Sequence, residues 1–174
     1  MECCLPTQTG LPPADARLIL EPYFTAVQEA FVEAGLAKCR RTKLRVESWV
    51  HDSPRHFAGC KATGLTIVVA PEMVELPEET VAAIMAHELG HAADFLYPGE
   101  FVLGRGGAIR RSAEDMSSSS WAKWMRDWDG RDDHTVELVA DAIAERVLGR
   151  TIGYAGPCLL QTFDKGIPRP ESLR

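Results

Sequence analysis

The sequence predicts a single α+β domain, and three observations carry that prediction. Residues 76–98 and 134–149 each space apolar side chains at helical period, and a β-branched run at 65–70 stands just before the first of them. The domain spans residues 1–174, long enough to bury one real core at 45% hydrophobic and 25% charged residues.

The elements follow in chain order. Residues 14–37 predict a long helix on Leu18, Ile19, Phe24, Val27, Phe31 and Val32, with a stop at Gly35 and an early break at Pro22. Lys43–Val50 alternates as a strand, and residues 51–63 form a loop or hairpin into the strand Leu65–Ala70, bounded by Gly64 and Pro71. Leu76-Pro77-Glu78-Glu79-Thr80 starts a helix, because proline suits the first helical position and acids suit the positive end of the dipole. Val81, Ile84, Met85, Leu89, Ala92 and Leu96 continue it, and Pro98-Gly99 ends it.

Residues 99–120, rich in Gly, Arg and Ser, predict a flexible insertion. Ser120 can cap a short helix whose Trp121, Trp124 and Trp128 share one face, packed in the core or walling a cleft. A last helix carries Val136, Val139, Ala140, Ile143 and Val147 as its apolar stripe, with Gly149 as its stop. Residues 157–174, with Pro168 and Pro170, form an irregular tail.

Charge and composition exclude several classes. A net charge of −6 argues against nucleic acid as a partner, and the basic run Lys38–Arg45 reads as a solvated helix end leading into a strand. No basic, apolar leader opens the sequence and no run of about 18 apolar residues occurs, so neither export nor a membrane is expected. Five scattered cysteines, at 3, 4, 39, 60 and 158, read as reduced thiols of a cytoplasmic protein. Cys3-Cys4 could reach a metal and hold it latent, whereas the spacing of His51, His56 and Cys60 fits no metal pattern.

The chemistry is concentrated in His87-Glu88-Leu89-Gly90-His91, an HExxH pentapeptide inside the helix at 76–98. Residues i and i+4 lie on one face of a helix, so both imidazoles can reach one metal ion while Glu88 handles a proton. A zinc hydrolase needs a third protein ligand and leaves the fourth position to water. The position ten residues after His87, where a metzincin-type site has its third histidine, holds Tyr97. Asp94 shares the helix, but one helix rarely wraps three ligands around a tetrahedral ion. Glu137, on the last helix, is the best candidate. Asp141 lies four residues on, and two like charges so placed call for something positive facing them.

HExxH followed on a later helix by Glu-x-x-x-Asp resembles the gluzincin branch of the zincin metallopeptidases, over residues 65–96 and 134–148. The resemblance implies a zincin-like fold with a small twisted sheet and an active-site helix, as in compact single-domain members. It implies one Zn(2+) per chain on His87, His91 and Glu137, with Glu88 as base and Asp141 orienting a ligand histidine. It also implies an edge strand before the active-site helix to pair with an extended substrate, and Leu65–Ala70 falls there. The expected function is that of a zinc metalloendopeptidase acting on proteins or peptides, with Tyr154 or His134 stabilising the oxyanion. Two alternatives stay open: hydrolysis of a non-peptide amide, and a binding protein that keeps zinc as a staple, for which Glu88 has no use.

Overall fold

A computed structural model describes residues 11–48, 58–61, 63–103, 109–111, 130–131 and 133–149. Helix α1 (Pro13–Glu33) begins with proline in its first turn and buries Ala16, Leu20, Phe24, Val27 and Phe31, spaced three and four apart. Contrary to the expected break, α1 runs straight through Pro22. Pro22 and Leu18, one turn earlier, are both exposed, so the carbonyl that loses its partner faces water. The helix closes where Gly35 turns to φ 88°. Leu36 N–H donates to the Phe31 carbonyl and Gly35 N–H to that of Val32, the paired bonds of a Schellman stop.

A 3-10 turn at Ala37–Arg41 leads into strand β1 (Lys43–Val46), shorter than the expected 43–50. Strands β2 (Ala58–Cys60) and β3 (Thr66–Val69) complete a three-stranded sheet in the order β1-β3-β2. β1 runs parallel to β3 with Leu44 opposite Ile67, and β2 runs antiparallel with Cys60 opposite Ile67. The strand before the HExxH helix is therefore central, not the expected edge. Ile67, Val68 and Val69 are all buried, as a strand covered on both faces requires. Among the described residues the two edges belong to β1 and β2. Gly64 (φ 67°) turns the chain from β2 into β3 so tightly against the next helix that a Cβ there would lie 2.7 Å from the Ala92 carbonyl oxygen.

Helix α2 (Glu78–Leu96) carries the HExxH segment through the middle of the protein, and every residue from Ala83 to Asp94 is buried. It packs on α1, on the sheet and on a third helix, α3 (Asp133–Leu148). Its C-terminal end is held by Lys38, from the basic run. The Lys38 ammonium donates to the Leu96 carbonyl at 3.1 Å and sits over the Tyr97 ring, where a cation suits the negative end of the dipole. The Lys38 backbone N–H donates to the Tyr97 hydroxyl at 2.9 Å.

Part of the expected flexible insertion is an antiparallel pair, β4 (Phe101–Leu103) with β5 (Ile109–Arg111). Apolar and β-branched residues flank the glycine-rich 104–107 segment in the sequence, and buried Phe101 stacks edge-on against Tyr97. The predicted tryptophan helix and the C-terminal tail lie outside the described residues. Among the described residues no helix is long and apolar enough to cross a membrane.

Candidate metal centre

Helices α2 and α3 cross at Gly90, and they do so backbone on backbone. A Cβ at Gly90 would stand 2.2 Å from the Ala140 carbonyl oxygen, so the glycine inside the HExxH segment sets how close α3 can come. Glu137 and Asp141 flank Ala140, three residues before and one after, on the face of α3 turned toward α2. The crossing therefore delivers both carboxylates to the two histidines.

The four side chains meet at hydrogen-bonding distance. His87 Nε2 lies 2.9 Å from Glu137 Oε2, and His91 Nε2 lies 3.3 Å from Glu137 Oε1. The two Nε2 atoms are 3.0 Å apart, with their rings nearly perpendicular at 88°. On the far side of its ring, His87 Nδ1 lies 2.7 Å from Asp141 Oδ1. In the tautomer with the proton on Nδ1, His87 donates to Asp141 Oδ1 and turns its Nε2 lone pair toward Glu137.

Lone pairs and carboxylate oxygens thus converge on one point, an arrangement that needs a proton or a cation at its centre. Burial alone would lower the pKa of His87, but hydrogen bonds to Asp141 and Glu137 outweigh it and hold the value well above the ordinary one. Burial would raise Glu137, yet the hydrogen bonds from His87 and His91 pull it below the usual carboxylate range. Asp141 Oδ2 is buried and has no hydrogen-bond partner among the described residues. Glu88, Glu137 and Asp141 thus set three carboxyl groups around two imidazoles. The His87, His91 and Glu137 group can hold a metal ion.

Glu88 is buried beside this group and makes no hydrogen bond among the described residues. Cys60, on β2, lies in the same neighbourhood. Burial first, then the charge of Glu88, pushes its thiol up to about 12 in the metal-free protein.

Asp94, weighed as an alternative ligand, is instead held by the Arg131 guanidinium. His134 occupies the first turn of α3, but its side chain lies outside the described residues, as do Tyr154, Cys3, Cys4, His51 and His56. Sequence reasoning missed Arg131 and the packing role of Gly90. A lone arginine before a helix carries no signal, whereas a glycine in mid-helix is a cue to close approach. Comparison with protein-family models, with curated proteins and with solved structures returns no match for this chain.

Proposed function

We propose that this chain is a compact zincin-like metallopeptidase of the gluzincin type, binding one zinc ion through His87, His91 and Glu137. The observation that carries the reading is the convergence of both Nε2 atoms on the Glu137 carboxylate, beside a buried Glu88 that makes no hydrogen bond among the described residues. Donor atoms around a tetrahedral zinc stand about 3.3 Å apart, given ligand bonds of about 2.0–2.1 Å. The separations of 2.9, 3.0 and 3.3 Å lie near that value.

Zinc, when bound, would supply Lewis acidity that polarises a scissile carbonyl and acidifies water. Glu88 would take the proton from the attacking water and pass it to the leaving amine. Asp141 would hold His87 in the tautomer that presents Nε2. An extended substrate would pair with β2, whose outer edge has no neighbouring strand among the described residues. The two described cysteines are unpaired, in keeping with a reducing compartment such as the cytoplasm. A structural staple is the weaker reading, because a closed site gives no role to a buried free carboxylate at position 88.

Metal analysis of Glu137→Ala beside wild type tests the ligand set. Loss of a direct ligand should weaken zinc beyond the roughly 10–100-fold typical of losing an outer partner. Undiminished affinity would overturn the assignment. Turnover of a peptide library by the zinc-loaded protein, abolished by a chelator, tests the activity.

A further inference from the structure

The crossing at Gly90 brings α3 to α2, and the buried Val139, Ala140, Ile143 and Ala144 turn its apolar face inward. One residue of helical turn is about 100°, enough to swing Glu137 off the histidines, and an apolar face sets that rotation less sharply than a directional polar contact does. The structure has such a contact. Arg131, two residues before α3, sends its guanidinium to Asp94 on α2, with Nη2 paired to Oδ2 and Nη1 to Oδ1 at 3.4 Å. Both side chains are largely buried. Asp94 lies three residues after His91 and seven after His87, on the same side of α2 as both imidazoles, and Arg131 lies six residues before Glu137.

We propose that the Arg131–Asp94 pair is a positioning clamp that fixes α3 about its own axis, so that Glu137 meets His87 and His91. This rests on the metal reading above. Only a planar guanidinium can hold a carboxylate at two points and so define an orientation as well as a distance. A buried ion pair is a weak source of stability, since an apolar pair of similar volume often serves as well or better. Its particular contribution here is direction. In this reading Arg131 acts through Glu137.

The test measures zinc affinity of the full-length chain by competition with a chromogenic chelator. The leading variant is the double substitution Arg131→Met with Asp94→Leu, which removes both charges of the pair together. It should keep the thermal midpoint of the metal-free protein while weakening zinc about tenfold, the low end of the range for losing an outer partner. Arg131→Lys, which keeps the charge but not the fork, should fall between this variant and wild type. Placed on a Glu137→Ala background, the same double substitution should change affinity no further. Unchanged zinc affinity in the double variant would overturn the clamp. So would an equal loss on the Glu137→Ala background, because the effect would then travel through the histidines. Full affinity in Glu137→Ala alone would remove the ligand assignment itself, and the clamp with it.

Discussion

Glu88 and Asp141 are both buried carboxylates within one small site, and what separates them is their hydrogen bonding. Asp141 Oδ1 is committed to His87 Nδ1 at 2.7 Å, while Glu88 is uncommitted among the described residues. A free carboxylate can exchange a proton with a reactant, and a bonded one can only orient its partner. Glu88→Gln should therefore keep fold and zinc while losing about 10²–10⁴-fold in peptide turnover, since an amide accepts no proton. Equal cleavage by the variant would remove Glu88 as base. Asp141→Asn should weaken zinc or slow hydrolysis by roughly 10–100-fold, less than the loss of a ligand. Titration of the variant against zinc decides it, and wild-type affinity would mean that His87 needs no partner.

At the scale of elements, α2 and α3 form one unit because neither completes the site alone. Gly90 lets their backbones meet. In an isolated helix, alanine would be better than glycine by about 1 kcal/mol. Here its Cβ would meet the Ala140 backbone at 2.2 Å, and a backbone carbonyl cannot swing aside as a flexible side chain can. Gly90→Ala should thus reverse the helix-propensity sign, destabilising the protein by about 1–3 kcal/mol through overpacking. It should weaken zinc as well, by pushing Glu137 outward. Denaturant unfolding of the metal-free variant reads the first effect and chelator competition the second. A stabilised variant with full zinc affinity would contradict the crossing.

For the whole molecule, the site ties stability to pH. His87 titrates above its ordinary value of 6.5 in the folded state, so its contribution is complete below that pH and is lost as pH rises through the folded value. Glu137 titrates below its ordinary 4.5, so its contribution is complete above that pH and is lost as pH falls through the folded value. Both are present together between pH 4.5 and 6.5. Within that window the metal-free wild type should exceed Glu137→Ala in thermal midpoint by the widest margin. The margin should narrow toward strong acid and toward alkaline pH. Melting curves across a pH series would show it, and a constant margin would mean that the pairing adds nothing to the fold.

The sequence by itself determined the three described helices and the spacing of the site's side chains, because both are written locally. The i, i+4 histidines, the glutamate between them and the apolar period of α2 are properties of one helix, and Gly35 and Pro77 mark helix ends through local backbone geometry. The Glu-x-x-x-Asp pair on α3 is likewise local. Only the tertiary structure decided what depends on residues far apart in sequence. It made β3 the central strand by setting β1 and β2 on either side, a choice that a four-residue apolar strand leaves open. It carried α1 unbroken through Pro22, since the tolerance of a helix for proline depends on which face meets water. It also gave Asp94 to Arg131 and left Glu137 to the histidines. That choice between two carboxylates turns on where α3 crosses α2, and the crossing is set by the missing side chain of Gly90.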